Sequence, residues 1–469
     1  MYSFIAALAV LIIGYFVYGR LVEKVFAPDD RVTPAVSIND GVDCVPLPVW
    51  KSFLIQLLNI AGTGPIFGAL MGAVFGPVVF LWIVLGSILG GAVHDYMCGM
   101  ISSRHGGKSI SELAGEYLGT PVKYFMRVFS LILLLLFGTI FITSPAALLS
   151  RLTPAWMNET FWLVIIIVYY LLATLLPIDK LIGRLYPLFG ILLLTMAIAI
   201  AVALYVFPEY YIPELTLRNL HPDGLPVWPY MFITVACGAI SGFHATQSPM
   251  VAKCITSEKH GRKVFYGAMI SESVIALVWA AAGVTVYGAT GGLMNALNAL
   301  GQSGVVYDIA SELLGTAGSI LAVVGVVICP ITSGDTAFRS ARLTLSETFG
   351  LDQKPLKNRL LITVPLLGAG AALSQMNFDV LWRYASWSNQ VLAMVALWVA
   401  SAYLIKNGRR GLPLLVTIPG AVFMSAVSST YILMSEEGFS IPAKIAYPAG
   451  IAFALALAIV FLIAEKRKR

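Results

Sequence analysis

Thirteen apolar runs of about 18 residues or more occupy most of this sequence, each long enough to cross the hydrocarbon of a bilayer. They lie at approximately 2–21, 53–74, 77–101, 123–149, 160–177, 186–207, 227–250, 264–288, 314–334, 359–375, 380–405, 412–434 and 445–464. Within lipid a spanning segment must satisfy its own backbone hydrogen bonds, so the expected fold class is an all-α polytopic membrane protein. Composition agrees with this. A soluble protein carries roughly 25% charged residues, whereas this chain carries 12%, with 58% hydrophobic residues and a mean hydropathy of +0.85. The net charge of +6 comes from basic residues in short loops between the runs, which argues against nucleic-acid binding. Cys44, Cys98, Cys237, Cys254 and Cys329 form no C-x-x-C pair and show no zinc spacing to a histidine. They read as small apolar residues, with neither a metal nor a disulfide framework implied, and no cofactor is expected. The first run has no basic leader and no small-residue cleavage site, so it reads as a retained helix. No stretch between runs is large enough for a soluble domain, so residues 1–469 are expected to form one membrane domain.

The loops give an orientation. When they are assigned alternately to the two sides, 26 of the 30 basic residues fall on one side. Arg151, Arg218, Arg383 and Lys444 fall on the other. Basic loops stay in the cytoplasm. The expected topology therefore has the N-terminus outside and the C-terminus in the cytoplasm, in a cell (cytoplasmic) membrane.

Two of the runs are poor material for continuous helix. The second holds Asn59-Ile60-Ala61-Gly62-Thr63-Gly64-Pro65 near mid-membrane, where glycine and proline disfavour helix. The seventh holds Gly238-Ala239-Ile240-Ser241-Gly242-Phe243-His244-Ala245-Thr246-Gln247-Ser248-Pro249, with five polar side chains in apolar surroundings. Glycines can serve close helix packing, but broken helices at mid-membrane also hold solutes and ions in transporters. The breaks lie five runs apart and enter the membrane from opposite sides. That spacing points to an inverted five-helix repeat, the first unit at about 53–207 and the second at about 227–405. The runs at 2–21, 412–434 and 445–464 are then peripheral.

Several motifs are similar to those of the carbon starvation protein A family. They are Asn39-Asp40-Gly41-Val42-Asp43-Cys44-Val45-Pro46, Ala61-Gly62-Thr63-Gly64-Pro65, Gly91-Ala92-Val93-His94-Asp95-Tyr96, Ala236-Cys237-Gly238-Ala239-Ile240-Ser241-Gly242-Phe243-His244-Ala245, Gly267-Ala268-Met269-Ile270-Ser271-Glu272-Ser273 and Ser388-Asn389-Gln390. The resemblance runs in family order over most of the chain. It implies the fold of the amino acid–polyamine–organocation superfamily, a leucine-transporter-like 5+5 inverted repeat with one N-terminal and two C-terminal helices added. It also implies uptake of peptides in carbon starvation, or of pyruvate with protons. The chain is shorter than the long family members, which leaves the substrate open between peptide and pyruvate.

The residues offer two kinds of site. Half-helix N-termini carry partial positive charge and free N–H groups. Gly62, Thr63 and Gly64 with Ser241, Gly242, His244, Gln247 and Ser248 are therefore expected to line a substrate carboxylate site. For coupling, Glu272 is a carboxyl near mid-bilayer and a functional candidate by default; a structural bond to a serine or backbone amide is the alternative. His94 and Asp95 are weaker candidates: neighbours in a helix point about 100° apart, so no dyad is expected. Asp95 is expected to pair with the basic loop Arg104–Lys108 as an ion pair or gate latch. Thr332 and Ser333 resemble the superfamily position whose hydroxyls help hold sodium, or they bond back to their own helix. Asp335 reads as an i,i+4 partner of Arg339. Trp382, Tyr384 and Trp387 read as interface anchors, with Arg383 able to attract an anionic solute. The Val32–Val49 segment, with Asp40, Asp43 and three prolines, is either an inner gate or a stiff connector.

Two other functional classes stay open. One is an intramembrane serine hydrolase at Ser241 and His244, although a nucleophile and its base usually come from separate elements. The other is a channel or nutrient sensor. The expected partners are a small-molecule substrate, a proton or sodium ion, and the lipid bilayer.

Overall fold

Helices carry the chain from end to end in the computed structural model, which describes residues 1–41, 44–174, 178–207, 209–353 and 355–467. Val42, Asp43, the end of the 160–177 run and residues 354, 468 and 469 lie outside the described residues. The helices that shape the site are α1 (Tyr2–Phe26), α2 (Val49–Ala61), α3 (Gly64–Ala73), α4 (Ala92–Arg104) and α5 (Thr120–Leu152) in the first half. In the second half they are α6 (Val227–Thr234), α7 (Gly242–Ala252), α8 (Gly267–Val286), α9 (Cys329–Phe349) and α10 (Phe378–Lys406). A wide π-helical stretch, Trp82–Gly91, leads into α4.

Among the described residues, nine helices are long and apolar enough to cross a membrane, or ten if the bent pair α2–α3 is one span. The runs at 160–177 and 412–434 meet shorter apolar helices, Glu159–Ala173 and Ile418–Met434. The run at 227–250 is split into α6 and α7, and the run at 314–334 lies inside a longer helical stretch, Thr290–Phe349.

Both anticipated breaks are present. Between α2 and α3 the axis bends by 47°. Gly62 there has φ +46°, where an L side chain is strained, and an added Cβ would lie 2.9 Å from the Phe141 ring. Between α6 and α7, residues 235–241 leave the helix, and Gly238 takes φ +88°. The two breaks touch: a Cβ on Gly64 would lie 2.4 Å from Cys237 Sγ.

α10 is the buried spine of the bundle, with every residue of its most apolar window inside the protein. Trp382 follows from that position. Expected at the lipid interface, it is 4% exposed and packs on Phe67 and Phe378 at ring-centroid distances of 6.1 Å. The helix face that carries Trp382 turns inward, so its large apolar surface is removed from lipid and solvent alike. Trp387 is half-buried and donates its indole N–H to the Ser428 carbonyl, while Tyr384 stays exposed. The Val32–Val49 segment is tied down at two points: the Thr33 hydroxyl donates to the Ile255 carbonyl, and the Leu47 N–H to the Cys254 carbonyl.

Candidate functional site

The unwound 235–241 segment and the first turn of α7 bring His244 against α4 and α8. All three helices place a titratable side chain at the meeting point, and each of those side chains is fully buried. Asp95 on α4 is held from both sides. Its Oδ1 lies 2.8 Å from His94 Nδ1 and its Oδ2 lies 2.8 Å from His244 Nδ1. That second bond fixes which imidazole nitrogen remains for other partners. His244 Nε2 faces Glu272 Oε2 on α8 at 3.5 Å. Neither Glu272 oxygen has a close hydrogen-bond partner among the described residues. Four groups thus form a chain, His94–Asp95–His244–Glu272, inside the bundle.

Two expectations are corrected here. His94 and Asp95 do form a dyad, because the imidazole and the short carboxylate reach across the backbone despite leaving the helix in different directions. Asp95 does not pair with the Arg104–Lys108 loop. Nine residues of helix separate Asp95 from Arg104, roughly 13 Å at 1.5 Å per residue, and Arg104 instead binds Glu258. Lys108 pairs with Glu116. One cysteine lies close to this chain of titratable groups. The break brings Cys237 to His244 and Glu272, with one ligand atom from each within 4.8 Å of the others. By spacing alone this is a set compact enough to hold a metal ion.

The hydrolase geometry is absent. The Ser241 hydroxyl donates to Asn389 Oδ1 at 3.1 Å, while both His244 nitrogens face carboxylates. Asn389 also accepts the Phe243 backbone N–H at 2.6 Å, so it caps the α7 N-terminus that the Ser241 side chain leaves uncapped. In the sequence Asn389 stands out only within the Ser388-Asn389-Gln390 motif. Its signal is three consecutive polar residues near the middle of a helix long and apolar enough to span a membrane.

The remaining candidates divide. The Ser248 hydroxyl accepts from Gln56 Nε2 on α2 at 3.0 Å, linking the two broken spans. Gln247 donates to its neighbour Thr246. Asn59 Oδ1, Thr63 Oγ1 and Gln247 Oε1 are buried without hydrogen-bond partners among the described residues. Such atoms would each cost about 1–3 kcal/mol if left dry. Thr332 bonds back to the Cys329 carbonyl of its own helix. Ser333 reaches across to the Leu58 carbonyl at 3.1 Å, against the first break. Asp335 and Arg339 make the i,i+4 contact at 3.4 Å.

Among the described residues, a cavity lies at each end of the bundle. At the end where α3 finishes and α6 begins, a cavity of about 580 Å³ is lined by Tyr230, Thr234, Gln302, Asp379, Trp382 and Arg383 among others. Trp382 lines its wall, and Phe137 connects that indole to Phe243 beside the break, at 6.4 and 5.1 Å between ring centroids. Arg383 is paired with Glu437 there. At the opposite end, a cavity lined by Thr246, Lys253, Ser340 and Glu347 holds only about 40 Å³. Arg104 locks that end. It makes two bonds to Glu258 at 2.8 and 2.7 Å, one to the Tyr403 hydroxyl and one to the Ala27 carbonyl.

The family model for "Carbon starvation protein CstA" matches residues 1–157 and 149–303. The chain belongs to the CstA family. A membrane protein of Haemophilus influenzae is 45% identical over 351 residues, 64% of this chain and 95% of that one. The peptide transporter CstA of Campylobacter jejuni is 26% identical and aligns over 96% of this chain and 83% of its own. The pyruvate/proton symporter BtsT of Escherichia coli is 28% identical over 58% of this chain and 47% of its own. Among solved structures, Mhp1 in its inward-facing conformation covers 89% of this CstA-family chain and 91% of its own, with a TM-score of 0.55 at 16% identity. MhsT in complex with L-phenylalanine covers 80% and 96%, with a TM-score of 0.56 at 14% identity. These likenesses give the fold, that of leucine-transporter-type carriers, in a multi-pass membrane protein.

Proposed function

We propose that this CstA-family chain is a secondary active transporter. It imports a small carboxylate-bearing nutrient, a peptide or pyruvate, across the cytoplasmic membrane in carbon starvation, by symport with a cation, the proton. One observation carries this reading: two helix breaks touch, and a buried chain of titratable side chains, His94–Asp95–His244–Glu272, ends at the second. Buried carboxylates and imidazoles within a span mark proton relays. Asp95 orients His244 through Nδ1 and leaves Nε2 for Glu272, so one proton can pass between two atoms already 3.5 Å apart. The substrate carboxylate is read at the breaks, over Gly62, Thr63 and Gly64 and the Ser241–Ser248 segment. The architecture proposed with this is one domain of thirteen spans: a 5+5 inverted repeat at about 53–207 and 227–405, with one helix before it and two after it. The N-terminus is outside and the C-terminus in the cytoplasm, an assignment supported by the one-sided distribution of basic loops. In that orientation the 580 Å³ cavity opens outward.

Sodium is the second reading, favoured by the Ser333 hydroxyl on the Leu58 carbonyl of the first broken span. Proteoliposomes decide between them. Labelled pyruvate and a labelled dipeptide are offered with an imposed proton or sodium gradient, and counterflow is measured without either. Accumulation driven by protons supports the relay. Accumulation that follows only sodium transfers coupling to Ser333, and absence of flux for both substrates ends the transporter reading for them.

A further inference from the structure

Asn389 presents its amide oxygen to a broken-helix N-terminus. Its Oδ1 accepts the Phe243 N–H at 2.6 Å and the Ser241 hydroxyl at 3.1 Å, at the N-terminus of the 11-residue helix α7. A backbone N–H can only donate, so the amide oxygen is the atom that faces it. The other half of the amide, Nδ2, is fully buried and has no hydrogen-bond partner among the described residues. A neutral side chain thus satisfies the α7 N-terminus while its own amide donor stays beside it.

The approach is built into the backbone. A Cβ on Gly242 would lie 2.2 Å from the Asn389 carbonyl oxygen and 2.5 Å from the Ala393 nitrogen. Only glycine lets the break come this close to α10.

We infer that Asn389 is a displaceable stand-in for the substrate's carboxylate. When the carboxylate arrives, it takes the Phe243 N–H and Ser241 hydroxyl, and the Asn389 amide turns so that Nδ2 donates to it. Charge favours the exchange: hydrogen bonds to an ionised acceptor are about twice as strong as neutral ones, and a negative charge is favoured at a helix N-terminus. Asn389 is accordingly a positioning residue, and its turn releases α7 from α10 when substrate is bound. This inference rests on the carboxylate-transport reading and refines it.

Purified full-length protein tests it without transport, by hydrogen–deuterium exchange over residues 240–250. In Asn389→Ala, exchange in that segment rises about tenfold. Acetate restores protection at about a tenfold lower concentration than acetamide, the neutral mimic of the lost side chain, as expected from a charge-assisted bond. Asn389→Asp is nearly isosteric and places a fixed charge at the helix end. It keeps the segment protected, makes it indifferent to acetate, and raises the half-saturating substrate concentration for uptake at least tenfold. Equal rescue by acetate and acetamide, or no rescue by either, overturns the inference, as does unchanged half-saturation in Asn389→Asp. Wild-type liposomes that carry neither pyruvate nor dipeptide would instead overturn the transport reading itself.

Discussion

Glu272 is the side chain on which the proposed proton coupling turns. It is fully buried and faces His244 at 3.5 Å, and neither carboxyl oxygen has a close hydrogen-bond partner among the described residues. Replacement by glutamine keeps shape and polarity and removes the exchangeable proton. Glu272→Gln is therefore expected to reduce proton-driven accumulation by two orders of magnitude or more, while substrate counterflow stays within about threefold of wild type, a split measured in the same liposomes. Asp95→Asn separates positioning from coupling. It leaves His244 and His94 without the carboxylate that both contact. Leaving buried polar groups without their partners costs about 1–3 kcal/mol each, so this variant is expected to lose thermal stability as well as uptake, where Glu272→Gln loses uptake alone. Thermal unfolding in detergent checks the difference. The sequence named Glu272, His244, Asp95 and His94 individually. Which of them touch was illegible, because the contact runs between residues 149 apart in the chain.

At the scale of elements, the breaks depend on backbone geometry more than on side-chain chemistry. Gly238 has φ +88°, and a Cβ there would lie 2.4 Å from the Cβ of Ala276 on α8. Gly238→Ala combines backbone strain of about 1–3 kcal/mol with overpacking of similar size. Its expected outcome is a lower unfolding temperature and a loss of uptake greater than the fall in folded protein, both measured on one preparation. Gly288→Ala is the matched control, since its positive φ carries the same strain with no atom in contact. The breaks were legible because glycine and proline are local signals that a helix cannot hide. The cap on α7 was not, since the usual capping residue, Ser241, turns its hydroxyl to Asn389 instead.

Among the described residues, the two ends of the molecule carry cavities of different size, about 580 Å³ at one and about 40 Å³ at the other. The narrow end is held by Arg104, Glu258, Tyr403 and Ala27, which come from four separate parts of the chain. Glu258→Gln should loosen this end, and cysteines placed at Ser340 and Thr246 should then react faster with a charged thiol reagent, by roughly tenfold for each 1.4 kcal/mol lost. A second contact at that end has a defined pH response. Burial opposes ionisation of Glu112, but hydrogen bonds and charge from Lys123 and Arg127 outweigh it and hold the carboxyl below its ordinary 4.5. A carboxyl lowered on folding stabilises above the unfolded value and loses that contribution as pH falls through the folded one. The unfolding temperature is expected to drop below pH 4.5, and Glu112→Gln to show a shallower drop, followed by thermal scans against pH.

Hydrophobicity, basic loops and the glycine–proline clusters are properties of contiguous stretches, and they determined by themselves that this chain is helical, crosses a membrane repeatedly and breaks two of its spans. The lipid environment forces that outcome, because each span must close its own hydrogen bonds wherever its neighbours lie. Tertiary structure alone decided that Asp95 meets His244 and not Arg104, that Cys237 lies beside Glu272, and that Asn389 fills the end of α7. Those pairings depend on the rotation of each helix about its own axis. Packing against the other helices sets that rotation, and no single stretch of sequence contains it.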